Sequence, residues 1–185
     1  MSIQKIFSFH SLTNMPDLKV VTPTVHLDDR GFFFEVFRNS EFLEIPNSFA
    51  QVNHSKSIKG VLRGLHYQIN PMAQGKLIRV LEGKIFDVAV DIRRESNCFG
   101  KHESVYLDSE KREMLYIPKG FAHGFCVLSE VAQIEYFCTE VYSPKDERGI
   151  VYNDPALGIK WPIKKPIVSE KDSKYPLLKD IESNF

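Results

Sequence analysis

The stretch Gly60-Val61-Leu62-Arg63-Gly64-Leu65-His66-Tyr67-Gln68 sets an arginine and a histidine into an otherwise apolar, strand-like run, and Gln74-Gly75-Lys76 adds a lysine at short range. Charge taken out of water is costly unless it is paired or hydrated, so three such groups close together are hard to explain by packing alone. A lone histidine in such a place is more often a hydrogen-bonded core residue. Arg63 and Lys76 shift the balance toward a site. Its second half lies downstream, in Pro118-Lys119-Gly120-Phe121-Ala122-His123-Gly124-Phe125 and in Tyr136 and Tyr142 of a later alternating run. Taken alone these two tyrosines are ordinary half-buried aromatics. Facing an imidazole, a phenol can serve as the acid to its base, and the pattern points to proton transfer on a polar, anionic substrate.

Strand parity decides which of these side chains can meet. His66 and Gln68 share one face, and Lys76 shares one with Ile78 and Val80. Arg63 has the wrong parity for His66. Both can point inward only if the ladder is broken between them, and Gly64 is the natural place for a bulge. In the later run Ile134, Tyr136, Cys138 and Tyr142 fall on one face.

Metal and phosphate chemistry also enter. Pro118-x-Gly120-x-x-His123 resembles the second half of a cupin metal signature, but where the first half should carry His-x-His this chain has His66-Tyr67-Gln68. Two imidazoles without a carboxylate fall short of the three or four ligands usual for a transition metal, so a metal-free site is expected. Arg63, Lys76, Arg30 and Lys171 can hold phosphate, Arg as a planar fork and Lys as a point charge. The plainer reading of Lys171 is a solvated surface charge.

The elements that must position these groups are strands. Aromatic and β-branched residues dominate short segments broken by Gly, Pro, Asn and Asp, and long helical periodicity is missing. The expected fold is mainly β, a sandwich or barrel. Lys76 to Leu81 and Lys84 to Asp91 flank Glu82-Gly83 and read as a hairpin. Further strands are expected at Phe32 to Arg38, Ser104 to Leu107, Glu113 to Ile117, Gly124 to Leu128 and Gln133 to Tyr142. The helical candidates are few: Ser40 to Ile45, where Ser40 can cap the first turn, and a short turn around Ser109 to Arg112. After Trp161-Pro162 a tail rich in Lys, Pro and Ser must be held by the body or by a partner subunit.

With 185 residues the chain reads as one domain, 1–185. The 24 basic and 24 acidic residues cancel, which removes the broad basic footprint of a nucleic-acid binder. Cys98, Cys126 and Cys138 form no CxxC pair, so neither a disulfide framework nor a zinc knuckle is indicated. No segment approaches a signal peptide or membrane span, and a cytoplasmic setting is expected.

The motifs are specific enough to name a family. Asp29-Arg30-Gly31-Phe32-Phe33-Phe34-Glu35, Asn53-His54-Ser55-Lys56-Ser57, Gly60 to Gln68, Gln74-Gly75-Lys76-Leu77, Phe86-Asp87-Val88-Ala89-Val90-Asp91, Ile117 to Phe125 and Ser169-Glu170-Lys171-Asp172, taken in order, resemble the dTDP-4-dehydrorhamnose 3,5-epimerase family, the RmlC type. That resemblance implies a cupin-type jelly roll, a homodimer with N-terminal strand exchange, a dTDP-sugar substrate, and neither metal nor organic cofactor. It also implies His66 as general base, Asp172 as the carboxylate that orients it, Tyr136 as proton donor and Lys76 near the sugar's C4 oxygen. Tyr142 corresponds to the aromatic that stacks on thymine. Arg30, Glu35, Gln51, Asn53, Arg63, His123, Glu147 and Lys171 occupy nucleotide-sugar positions, with Arg30 reaching toward a neighbouring subunit. One departure is Gln51-Val52-Asn53, where the family often has Gln-Asp-Asn.

Such chemistry suits these residues. In a 4-keto sugar the C3 and C5 hydrogens both lie alpha to one carbonyl, so loss of either gives an enolate with its charge on the C4 oxygen, and one base can serve both carbons. A monofunctional 3- or 5-epimerase and a non-catalytic sugar-nucleotide binder are the competing readings. The acid and base together argue against the binder.

Overall fold

The computed structural model describes residues 5–42 and 49–185. Thirteen strands are present among them: β1 Phe7–Ser11, β2 Lys19–Pro23, β3 His26–Asp28, β4 Gly31–Phe33, β5 Gln51–Ile58, β6 Leu62–Gln68, β7 Lys76–Glu82, β8 Lys84–Asp91, β9 His102–Asp108, β10 Met114–Ile117, β11 Phe121–Val127, β12 Val131–Cys138 and β13 Glu147–Gly149. One sheet runs β1-β2-β10-β7-β12-β5, the other β13-β6-β11-β8-β9, and β3 and β4 form a separate pair. The sandwich expected from the sequence is therefore present.

Three apolar layers hold it together. Ile78, Val80, Leu115, Ile117 and Ile134 of the six-stranded sheet meet Ile85, Ala89, Leu107, Phe125 and Val127 of the five-stranded sheet, all buried. The far face of the five-stranded sheet, with Leu62, Leu65, Phe86, Val88 and Val90, is covered by the tail through Leu157, Leu178 and Ile181. The far face of the six-stranded sheet packs Leu77, Met114 and Tyr116 against Phe7 and Phe42. Because β8 and β11 are covered on both faces, they read as near-continuous apolar runs rather than alternating ones.

Several local expectations need correction. β7 and β8 are not a hairpin: they belong to opposite sheets, and the chain crosses between the layers at Gly83. Gly83 has φ +82°, and a Cβ there would lie 2.1 Å from the Val131 carbonyl oxygen, so a sheet-to-sheet corner demands the glycine that a hairpin turn also uses. The aromatic run from Phe32 supplies only the short β4; Phe34 leaves the strand and lies under the Arg79 guanidinium, 5.2 Å from ring centre. β12 ends at Cys138, before Tyr142, which lies on the loop that follows. Asn39–Glu41 is a 3-10 turn with no side-chain cap, so Ser40 does not cap it, and 43–45 lie outside the described residues. Residues 109–111 form the expected short turn, which ends in Arg112 at φ 59°. The one short α-helix among the described residues, α1 Glu170–Ser173, is capped by the Ser169 hydroxyl, which accepts the Asp172 N–H at 3.0 Å.

The break at Gly64 is present. In the pairing of β11 with β6, His123 faces His66 and Phe125 faces Arg63, so two residues of β6, Gly64 and Leu65, stand opposite the single Gly124. Gly64 has φ +138°, and a Cβ on it would sit 2.5 Å from Gly124 Cα. Gly64→Ala is expected to cost at least about 2 kcal/mol through left-handed backbone strain and this collision. Urea unfolding of the variant against the parent checks it.

Candidate active site

The bulge makes Arg63 and His66 face the same way, into a cavity of about 260 Å³ between the two sheets. One wall comes from the five-stranded sheet, with Arg63, His66, Gln68, His123 and Phe125; the other comes from the six-stranded sheet, with Asn53, Ser55, Lys76, Tyr136 and Cys138. The parity expected for Lys76 and Tyr136 holds: in register, Tyr136 lies opposite Ile78 and Cys138 opposite Lys76.

His66 is fixed from behind. Its Nε2 is 2.8 Å from Asp172 Oδ1, while Asp172 Oδ2 accepts the Gly64 N–H at 3.1 Å. Burial opposes ionisation of Asp172, but the bonds from His66, Gly64 and Ser169 outweigh it and hold the carboxyl below its ordinary value. This leaves Nδ1 as the ring nitrogen available to a ligand. The Tyr175 ring meets the imidazole edge-on, 5.7 Å between centres.

On the opposite wall the Tyr136 hydroxyl is 2.9 Å from Ser55 Oγ, and burial pushes the phenol up to about 12, so it keeps its proton at neutral pH. Lys76 is enclosed, and burial lowers its pKa, with the nearby Cys138, Glu147 and Asp87 acting in the other direction. Arg63 Nε donates to Ser57 Oγ at 3.0 Å, which aims the guanidinium.

The mouth of the cavity is a second network. Tyr142 is half exposed on the loop after β12; its hydroxyl donates to Glu147 Oε2 at 2.7 Å, and the Lys171 ammonium binds the same oxygen. Burial would raise the Glu147 pKa, yet these two donors hold it low, and the bond to Glu147 raises that of Tyr142. Gln51 does not line the cavity. It accepts the Tyr142 N–H at 2.8 Å and donates to Asn53 Oδ1 at 2.8 Å, positioning both. Gln68 and Gln74 tie down the same loop through Ser143, Val141 and Glu140.

Two expected site residues lie outside the cavity. Arg30 is 91 % exposed on the β3–β4 hairpin and pairs with Asp28, and Glu35 pairs with Arg38. Neither lines the cavity of its own chain. Val52 points away from the cavity, half exposed, so the departure at this position leaves the walls intact. Among the described residues no three His, Cys, Asp or Glu side chains are placed to hold a metal ion, and no helix is long and apolar enough to cross a membrane.

The sequence reading missed Ser55, Ser57 and Asp87. Asp87 had a signal: a carboxylate in the middle of a run buried on both faces must have a partner. That partner is His123, whose Nε2 is 3.0 and 2.9 Å from the two carboxylate oxygens.

Residues 12–180 match the dTDP-4-dehydrorhamnose 3,5-epimerase family. A dTDP-4-dehydrorhamnose 3,5-epimerase from Shigella flexneri is 51 % identical over 163 residues, 86 % of this chain and 90 % of its own. The chain belongs to the dTDP-4-dehydrorhamnose 3,5-epimerase family. It is similar to the solved structure of the dTDP-6-deoxy-D-glucose-3,5-epimerase RmlC from Legionella pneumophila Philadelphia 1 in complex with dTDP-4-keto-L-rhamnose, at 46 % identity, 95 % coverage of both chains and a TM-score of 0.91. ChmJ, a 3'-monoepimerase from Streptomyces bikiniensis in complex with dTDP-quinovose, is 34 % identical over 92 % of this chain and 87 % of its own, with a TM-score of 0.86. The epimerase fold is thus shared by proteins named for two carbons and for one.

The Asp172 bond gives this epimerase an acid-side signature. A carboxyl held below its ordinary value of 3.8 in the folded state stabilises the fold above that value, and the contribution is lost as pH falls through the folded-state value. Asp172→Asn is therefore expected to be less stable than the parent at neutral pH and to lose less further stability below about pH 4. Urea midpoints collected from pH 7 down to pH 3 measure both.

Proposed function

We propose that this chain epimerises C3 and C5 of dTDP-4-dehydro-6-deoxy-D-glucose, giving dTDP-4-dehydro-L-rhamnose, by proton transfer through an enolate. The observation that carries the reading is the opposition, across one cavity, of His66 backed by Asp172 and of Tyr136, with Lys76 beside them. A non-catalytic binder needs no such pair. The names and ligands of the similar proteins support the choice of a dTDP-linked sugar.

In this mechanism His66 Nδ1 removes the hydrogen alpha to the C4 carbonyl, and Asp172 holds the ring and stabilises the imidazolium. Electrons from the broken C–H bond move onto the C4 oxygen. The Lys76 ammonium stabilises that oxyanion, a contribution on the order of 3 kcal/mol for one well-placed donor. Tyr136 returns a proton to the opposite face of the carbon, which inverts it. Water entering at the mouth takes the proton from the His66 imidazolium and returns one to the Tyr136 phenolate, and the same sequence at the second carbon, alpha to the same carbonyl, then completes the double inversion. Tyr142, Asn53 and Arg63 bind the nucleotide end, with Gln51 holding the Tyr142 loop and Lys171 and Glu147 setting its mouth. We further propose a cytoplasmic homodimer in which exposed Arg30, with Leu27, Phe32 and Phe33 on the same hairpin, docks on the partner's site. Epimerisation of a single carbon is the second reading, favoured only by the likeness to ChmJ.

His66→Asn is expected to lower kcat at least about a thousandfold, on the scale of a lost general base, while dTDP still binds. Product trapped by a downstream reductase and calorimetric titration with dTDP read the two effects. Retained turnover contradicts the assignment.

The alkaline limb offers a separate check. Because burial lowers the Lys76 pKa, the ammonium is lost below its ordinary value of 10.5 and the rate falls as pH rises through that lowered value. In Lys76→Arg the guanidinium stays charged, so a slower enzyme whose rate profile lacks this limb is expected. Initial rates from pH 7 to 10.5 decide.

A further inference from the structure

A second histidine–carboxylate pair backs the cavity beside the first. His123 stands directly opposite His66 in the β11–β6 pairing, and Asp87, fully buried on β8, directs both of its oxygens at His123 Nε2. Asp87 is not part of the cavity wall; His123 lies between it and the ligand space. Among the described residues no hydrogen bond reaches His123 Nδ1. The groups around the ring are Asp87 from β8, His66 from β6, Tyr136 from β12 with 6.5 Å between ring centres, and Lys76 from β7 across the same cavity.

This arrangement constrains the protons. An ionised Asp87 with a neutral imidazole would leave a buried carboxylate hydrogen-bonded by one neutral N–H, with only the Lys76 ammonium beyond hydrogen-bond reach to answer its charge, which a dry interior penalises. One more proton removes the penalty. Whether the result is a carboxylate with an imidazolium or a carboxylic acid with an imidazole, one proton lies between Asp87 and Nε2 and the other is on Nδ1. Burial, which raises the proton affinity of the Asp87 carboxyl, acts in the same direction.

We propose that Asp87 is a positioning residue that keeps a proton on Nδ1 of His123, so that this N–H and the Lys76 ammonium together address the C4 oxygen of the substrate. The proposal rests on the reading that a 4-keto sugar occupies the cavity. It assigns His123 a catalytic hydrogen bond, strengthened as charge develops on oxygen, instead of ground-state binding alone. Two donors suit one oxyanion shared by two successive enolisations.

The test is a nitrogen-15 NMR spectrum of protein labelled at histidine, with His123 assigned through His123→Gln, at pH 7.5 with and without dTDP, alongside steady-state turnover. Both ring nitrogens of His123 are expected to carry protonated-type or proton-sharing shifts, with Nδ1 protonated throughout. Asp87→Leu is expected to lower kcat roughly a hundredfold, the scale of one lost oxyanion donor, with KM and dTDP affinity little changed. An unprotonated Nδ1 in active wild-type protein overturns the proposal, whether or not the variant folds, and so does a folded Asp87→Leu variant with full kcat. Wild-type protein that leaves the sugar unchanged overturns the substrate reading, and this proposal with it.

Discussion

One carboxylate joins the parts on which the site depends. Asp172 gives one oxygen to His66 and the other to the backbone N–H of Gly64, the residue that breaks β6. The bulge turns Arg63 and His66 into one cavity, and the bond to its N–H stabilises the bulge and the imidazole together. Asp172 comes from the tail, so the tail has to be docked as firmly as a strand. Its apolar side chains Leu178 and Ile181 are buried on the five-stranded sheet, Ile167 exchanges backbone bonds with Gly60 and Leu62, and the Ser169 cap sets the angle of α1. Loosening any of these would move His66.

The sandwich supplies what an open sheet could not: two walls that present opposite chemistry to one ligand. His66 and His123 lie on the five-stranded sheet, His66 backed by Asp172 of the tail, while the phenol and the lysine lie on the six-stranded sheet. Under the proposed mechanism that placement suits proton removal from one face of a sugar ring and proton return to the other. Burial around Lys76 lowers the local dielectric, so a fixed cation there loses less to screening than one at the mouth. The mouth is different, with exposed charges and a tyrosine held by glutamines and Glu147, which suits a nucleotide that must enter and leave.

Much of this was legible from residue types. The mainly β character, the inward parity of Lys76 and Tyr136, and the need for a break at Gly64 all follow from period-two alternation and from the steric freedom of glycine. The false hairpin at Glu82-Gly83 shows where such reading ends. A left-handed glycine between two apolar runs is common to a tight turn and to a corner between sheets, and only the far partners of each strand separate them. Tyr142 reached the cavity although the parity argument for it was void, because it sits on a loop pinned by Gln51, Gln68 and Gln74. Ser55 and Ser57 were invisible because a strand serine carries no signal until its cross-strand neighbour is known. Asp87 could have been found, since its burial was implied by the run around it. The absence of Arg30 and Glu35 from their own cavity could not, because each finds a local charge partner on the segment that carries it.

The central claim is that a single base, His66, serves both carbons alpha to one carbonyl. Incubating dTDP-4-dehydro-6-deoxy-D-glucose in heavy water with the wild-type protein and with His66→Gln, and locating deuterium by NMR, tests it most directly. The account expects label at C3 and at C5 with the wild type, and loss of both together in the variant. Continued exchange at either carbon without the imidazole would show a second base and contradict it.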